Sequence, residues 1–570
     1  MKKINFLSLI IVILFVNFVH SQQKEYTNPI LSGFYPDPSI CRVGNDYYLV
    51  TSTFCYFPGL PVFHSKDLVH WVQIGSVMNN PEIMKLDGLQ LSEGLFAPTI
   101  RYNKGWFYVT CTLVGGKGNF IVKSKRPEGP YSLPEWIPEI NGIDPSLFFD
   151  ENGKTYIVYN SVAPDNKELY RGHRTIRIRE FDIEKMKVDG EEHIIVNGGT
   201  DIVKKPIWIE GPHIFKKNGY YYLLASEGGT REVHSVVIFR SKDIFGPYES
   251  YEGNPLLTHR HLDPKRFYPI TCTGHADYVQ TNDGKWYSVL LGSRPYEPFE
   301  KNHFNTGRET YLVPMNWDGD WPIMNPGFNE VQYSYSLPLK PYIPKGYIPQ
   351  SENFTYKDEF NNKLNNNWIF LRTPKFSWYS LSQKKGFLSL KLRPETCSEK
   401  VNPSFIARRQ QHIFSNATIK MKFYPRNDNE KAGLIIFQNE DHFYYLCKSI
   451  MDGKNVIQLY KSSNGNDQSK IHILDFYEIK KHEINKDVFL KIESKGNIYS
   501  FSFSFDNKKW SILKDSVDAT FLSTETAGGF VGCVYGLYAT SLGTESNNYA
   551  FYDWFRYEGN ELIYKNKINR

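Results

Sequence analysis

The sequence predicts an all-β protein, a five-bladed β-propeller followed by a β-sandwich, on three observations. A hairpin unit is written five times between residues 33 and 291. Prolines 338, 341, 344 and 349 then interrupt the chain in "LPLKPYIPKGYIPQ". Beyond them come short alternating strands separated by polar turns.

The N-terminus reads as an export signal at residues 1–21. "MKKINFLSLIIVILFVNFVHSQQ" has Lys2 and Lys3, an apolar core from Phe6 to Val19, and small Ser21 before a polar stretch. The uncharged run is shorter than the roughly 20 residues a membrane span needs, so the mature chain is expected to be exported, periplasmic or extracellular, without a span.

The hairpins follow in order: "GFYPDPSICRVGNDYYLVTS" (33–52), "GLFAPTIRYNKGWFYVTCT" (94–112), "GIDPSLFFDENGKTYIVYN" (142–160), "IEGPHIFKKNGYYYLLAS" (209–226) and "TGHADYVQTNDGKWYSVLL" (273–291). Each runs from a polar or Pro-containing start into an apolar strand, a turn rich in Asn, Asp and Gly, and a strand opening on aromatics. Asp37, Ala97, Asp144, Glu210 and His275 occupy matching positions, 47 to 66 residues apart. That spacing suits about four short strands, one propeller blade. Segments such as "VFHSKDLVHW" (62–71) and "VVIFRSKDIFGPY" (236–248) fall where outer strands belong. The propeller is placed at 25–337, a Pro-rich linker at 338–354 and the sandwich at 355–570, where runs such as "ATIKMKFYP" and "VFLKIESKGNIYSFSFSFD" alternate. "RRQQH", Arg408 to His412, reads better as a solvated polar strand than as a wall of the funnel.

Composition agrees with this reading and excludes other classes. Aromatic residues make up 16% of the chain, which suits strands and sugar-stacking surfaces. The net charge of +6 carries no long basic block, so nucleic acid is not an expected partner. Seven scattered cysteines show neither a disulfide framework nor a C-x-x-C metal spacing, and read as buried strand residues with at most one disulfide.

The repeat also points to chemistry. Equivalent positions at the starts of five innermost strands form a ring round one funnel, which gathers Asp37, Asp144, Glu210 and His275 beside Ala97 and Pro98. Glycoside hydrolysis needs one carboxylic acid and one carboxylate, and a third carboxylate can raise the acid's pKa. A sugar-binding propeller without catalysis would be expected to lack one of the three.

At these residues the chain resembles glycoside hydrolase family 43, in particular its β-xylosidase-like branch. The matching text is "NPILSGFYPDPSI", "TSTFCYFPGLPVFHSKDLVHW", "GLFAPTI", "GIDPSL", "IEGPHIF", "EGGT", "GHADYV" and "GRETYLVP", in that order along the chain. The resemblance implies an inverting hydrolase in which Asp37 matches the general base, Asp144 the residue that tunes the acid, and Glu210 the general acid, with base and acid about 6.5–9.5 Å apart. Phe54 and Phe96 match apolar pocket walls, His275 the channel histidine, and Arg308 a substrate-contacting arginine. Phe96 departs from the family pattern, which carries Trp there. The sandwich resembles concanavalin-type jelly rolls that help close the pocket; a free carbohydrate-binding module is the other reading.

The resemblance implies an exo-acting β-xylosidase on xylo-oligosaccharides from plant cell-wall hemicellulose, with α-L-arabinofuranosidase as the alternative. It requires no cofactor and allows a calcium ion near His275. Oligomeric state is not readable from the sequence.

Overall fold

In the computed structural model the described residues are 25–462 and 472–565; the export signal expected at 1–21 lies outside them. Five antiparallel sheets, each built on four consecutive strands, make the propeller. The first comprises Ser39–Val43, Asp46–Val50, Gly59–Ser65 and Val72–Met78. The second comprises Thr99–Asn103, Trp106–Val114, Gly118–Ser124 and Glu135–Trp136. Gly142–Phe149, Thr155–Val162, Arg174–Asp182 and Lys187–Asn197 form the third. The fourth holds Glu210–Lys217, Tyr220–Glu227, Ser235–Ser241 and Glu249–Ser250. The fifth holds Thr271–Gln280, Trp286–Ser293, Glu309–Asp318 and Trp321–Met324.

The first strand of each blade neighbours the first strands of the two adjacent blades, so five strands close a ring. The segment before blade one locks it. Glu25–Thr27 pairs with Ser334–Ser336, Leu31 bridges Thr310, and the Asn28 amide donates to the Leu312 carbonyl at 2.9 Å. The proline-rich stretch is tied to blade one: the Tyr342 amide donates to Asp67 and the Ser32 amide to the Gln350 carbonyl.

Two eight-stranded sheets form the sandwich. Their facing aliphatic and aromatic side chains fill one core that includes Leu388, Ile419, Leu434, Leu490, Leu537 and Tyr552. The propeller supplies one of the strands. Tyr56–Phe57, from "TSTFCYFPG", pairs with Phe370 and Leu371 at the sandwich edge, covering main-chain groups that an open edge would expose. A second core crosses the joint, running from Phe34, Tyr56 and Leu95 in the propeller to Phe405, Phe437 and Tyr538 in the sandwich.

The expectation of a solvated "RRQQH" strand is corrected here. All five residues are buried. The Arg409 guanidinium lies 4.5 Å and 4.2 Å from the Phe34 and Tyr35 rings and donates to the Phe34 carbonyl at 2.8 Å, while Gln411 donates to the Ser32 carbonyl at 3.0 Å. Arg409 and Gln411 meet propeller backbone, whose carbonyls need donors once water is removed, while Arg408 and Gln410 donate to Asn365 and Ser494 of the sandwich. The seven cysteines are buried free thiols, so the allowed disulfide is not formed.

Arg294, 1% exposed, anchors the same joint. It donates twice to Glu309 within blade five, to Glu561 and Tyr564 after the last sandwich strand, and to the Gln411 carbonyl. Removing one partner of a buried ion pair costs about 3–5 kcal/mol because the remaining charge is left without compensation. Arg294→Ala is therefore expected to destabilise the protein by about that amount, read as a lowered calorimetric unfolding transition; an unchanged transition would remove the cluster from the account of the joint.

Candidate active site

All seven residues singled out by the sequence line one cavity of about 600 Å³ at the mouth of the channel: Asp37, Phe54, Phe96, Asp144, Glu210, His275 and Arg308. Their backbones explain how. Asp37 (φ 55°), Asp144 (φ 58°) and His275 (φ 48°) are left-handed, a conformation costly for residues with a Cβ and found where a fold over-determines it. Strand register breaks between Ile143 and Ser146, between Glu210 and His213, and on both sides of Gly274, the second break containing His275. These bulges re-aim Asp144, Glu210 and His275 on the innermost strands of blades three, four and five. At Gly211 (φ 58°) an added Cβ would meet the His275 ring at 3.0 Å, so glycine lets the acid-bearing strand approach the imidazole.

One layer deeper, residues from all five innermost strands interlock. Arg101 of blade two pairs with Asp277 of blade five at 2.7 Å; Asp277 also accepts from Ser39 of blade one at 2.7 Å. Arg101 donates to His213 Nδ1 of blade four at 3.0 Å, and that nitrogen lies 2.9 Å from Ser146 Oγ of blade three. Burial beside Arg101 holds the His213 pKa near 3, and Asp277 is held at about 2 because its pairing with Arg101 outweighs its burial.

The three carboxyls are each less than a tenth exposed, yet burial has different outcomes for them. Asp37 Oδ2 accepts from Ser52 Oγ at 2.6 Å, and its Oδ1 lies 3.3 Å from Arg308 Nη1 and 3.8 Å from His275 Nδ1. Burial pushes its pKa up, but Arg308, then His275 and the Ser52 hydrogen bond, bring it below the usual carboxylate range. At Glu210 the pull of Arg308 and Arg174 is outweighed. Burial first, then the negative charges of Asp144 and Asp37, hold its carboxyl well above the usual range. Asp144 is raised by burial and by Asp37, against the pull of His275, and its Oδ2 accepts from the Gly211 amide at 3.0 Å. The cavity therefore biases Asp37 toward its ionised form and Glu210 toward its protonated form.

Its walls include three residues that the sequence pattern did not single out. Phe530, in a sandwich loop, stacks on Phe54 (5.8 Å, 23°) and meets Phe96 edge-on (5.7 Å, 77°), so the second domain closes the aromatic wall. Only the resemblance pointed that way, since "AGGFVG" carries no strand or turn pattern that aims it. Arg174 and Trp208, from blade three and the segment before Glu210, line the other side. Phe96 keeps an aromatic face where the family pattern has Trp.

The residues round His275 do not fit a protein-ligated calcium site. Among the described residues no group of three or more His, Cys, Asp or Glu side chains is placed to hold a metal, and the neighbouring Asp37 is already engaged by Ser52 and Arg308, whereas calcium takes six to eight oxygen ligands.

Residues 26–322 match the model of "Glycosyl hydrolases family 43", and 357–558 that of "Beta xylosidase C-terminal Concanavalin A-like domain". The chain is 40% identical over 534 residues to a xylosidase/arabinosidase of Butyrivibrio fibrisolvens, covering 93% of this chain and 99% of that one. It is 37% identical to a non-reducing end alpha-L-arabinofuranosidase of Bacteroides ovatus, over 96% and 98% of the two chains. The crystal structure of a GH43_12 protein retrieved from a capybara gut metagenome superposes with a TM-score of 0.83 at 39% identity, over 91% of this chain and 95% of that one.

Because Arg308 is the largest influence opposing burial at Asp37, Arg308→Met should raise that carboxyl's pKa. Difference infrared titration of the carboxyl bands reads this directly, and an unmoved Asp37 band would show that Ser52 and His275 suffice.

Proposed function

The chain belongs to glycosyl hydrolase family 43, and from that premise we propose that it is an exo-acting, inverting glycosidase that releases xylose from the non-reducing ends of xylo-oligosaccharides. The observation that carries the proposal is the opposite displacement of two carboxyls in one cavity, Asp37 downward and Glu210 upward.

In this reading Asp37 is the general base. It takes a proton from a water molecule as the water oxygen bonds to the anomeric carbon. Glu210 is the general acid and gives its proton to the glycosidic oxygen as the carbon–oxygen bond breaks, so attack and departure occur on opposite faces and the configuration inverts. Asp144, held by the Gly211 amide next to the acid, helps keep Glu210 protonated. Arg308 keeps Asp37 ionised and offers donors to the sugar hydroxyls, while Phe54, Phe96 and Phe530 give the ring an apolar wall. His275 lies beside the base and favours its charge. Closure of that wall by the sandwich supports action at a chain end. The chemistry calls for no cofactor. Lys2, Lys3 and the apolar run after them support export, to the periplasm or the exterior, where plant hemicellulose fragments would be met.

Release of α-L-arabinofuranose is the second reading, favoured by the names of the relatives at 40% and 37% identity. Initial rates on 4-nitrophenyl β-D-xylopyranoside and α-L-arabinofuranoside, measured side by side, decide between them. On xylobiose, Glu210→Gln should lower kcat about 10²–10⁴-fold, the usual contribution of a general acid. The wild-type profile of kcat/KM should be a bell. Activity falls as pH drops through the lowered Asp37 pKa, because the base is neutralised, and again as pH rises through the elevated Glu210 pKa, because the acid is lost. Glu210→Gln should abolish the alkaline limb; a variant that keeps it would sink the assignment of the acid.

A further inference from the structure

The cavity is larger than one sugar needs. About 600 Å³ lies within the range that encloses drug-sized ligands, whereas a pentose has only about ten non-hydrogen atoms. If Asp37 and Glu210 are base and acid, they flank the scissile bond from opposite sides, and the departing sugar lies on the side of Glu210. Trp208, two residues before Glu210, and Arg174, packed on its ring, line that part of the cavity wall.

Trp208 stands two positions before Glu210, on the segment leading into the innermost strand of blade four. Between them Ile209 is buried at 1% exposure, while Trp208 is 37% exposed at the cavity wall. Its backbone is fixed: the Trp208 amide donates to the Gly172 carbonyl at 2.8 Å, and φ is 54°, in the left-handed region. The fold thus holds a large apolar ring half in solvent next to the acid, at a conformational cost that no packing in the core requires. The Arg174 guanidinium lies 4.1 Å from the centre of that ring. Among the described residues no carboxylate or other hydrogen-bond acceptor meets this guanidinium, although its Nε is buried. A flat aromatic face beside uncommitted donors is what a neutral sugar needs: C–H groups to stack and hydroxyl oxygens to accept.

We propose that Trp208 and Arg174 form the platform for the leaving-group sugar, the indole stacking against its ring and Arg174 donating to its hydroxyls. The inference rests on the reading of Asp37 as base and Glu210 as acid. It makes these two residues the determinants of which glycan chain is trimmed, separate from the residues that grip the released pentose.

The test compares two substrates that share a glycone and differ in leaving group: xylobiose, which places a sugar on the platform, and β-D-xylosyl fluoride, which places none. Wild type, Trp208→Ala, Trp208→Phe and Arg174→Met are assayed on both. For Trp208→Ala, kcat/KM on xylobiose should fall at least tenfold more than on the fluoride, the ratio that about 1.4 kcal/mol of lost binding produces. Trp208→Phe should recover most of that difference, and Arg174→Met should raise KM selectively on xylobiose. Equal losses on the two substrates, the signature of a misfolded loop, would overturn the platform and leave the acid/base reading standing; so would a selective loss on xylobiose accompanied by a shifted alkaline limb of its pH profile, the signature of a displaced Glu210, because fluoride departs without the acid's proton. Should the wild type prefer arabinose, the matching arabinobiose and arabinofuranosyl fluoride give the same ratio and decide the matter in the same way. A wild type inactive on both glycones would bring down the functional reading and this inference with it.

Discussion

The buried pair between Arg101 and Asp277 is the interaction on which the rest of the active end depends. Five blades are joined in sequence by loops, and nothing in a loop fixes how close their inner strands come. The pair does so from opposite sides of the channel, and with Ser39, His213 and Ser146 it makes every innermost strand a partner in one hydrogen-bonded set. Two charges are taken out of water here, which is worthwhile only where each is fully met. Asp277 receives Arg101, Ser39 and the amides of Ile40 and Tyr278; Arg101 reaches an acidic, an imidazole and a carbonyl acceptor. A set so completely satisfied leaves little freedom for any one strand to slide.

That rigidity is what the layer above needs. Asp37, Asp144 and His275 stand in left-handed conformations, and the strand carrying Glu210 bulges beside glycine. Such conformations relax unless the surroundings hold them. With the strands locked one step down, strain at the mouth becomes position, and position becomes acidity. All three carboxyls are desolvated; what separates them is that Arg308, His275 and Ser52 together outweigh burial at Asp37, while at Glu210 two like charges add to it. The neutral His213 below adds no positive charge that would draw Glu210 down.

The hairpins were legible because the inner two strands of a blade are neighbours in sequence, joined by a turn whose Asn, Asp and Gly residues announce it. Five such units also made the ring of functional positions legible, since equivalent residues in a cyclic repeat must meet at the axis. The individual roles of Asp37, Asp144 and Glu210 came from resemblance, because acidity depends on Arg308, which is 271 residues away from Asp37. Contacts between units were not legible at all. Arg408 to His412 looks like a surface strand until Phe34 and Ser32 are placed against it, and Tyr56–Phe57 gives no sign that it completes a sheet formed more than 300 residues later. Phe530, Arg174 and Trp208 sit in loops or at strand ends, where neither period nor turn chemistry says which way a side chain faces.

These same contacts argue that the sandwich is part of the active site and not a module attached to it. A hydrophobic core runs across the joint, a propeller segment is an edge strand of a sandwich sheet, and Arg294 draws the end of the chain onto blade five. Glu309, bound by Arg294, adjoins Arg308 and accepts from the Gly33 amide at 2.7 Å, four residues before Asp37. The route from the last sandwich strand to the base therefore consists of buried, directional contacts at every step. A protein built this way can change its pocket through the second domain without disturbing the five inner strands: the loop bearing Phe530 alters one wall, while the carboxyls stay where Arg101 and Asp277 have fixed them. That separation of wall from chemistry is a physical reason why similar chains can carry the names of xylosidases and arabinofuranosidases alike.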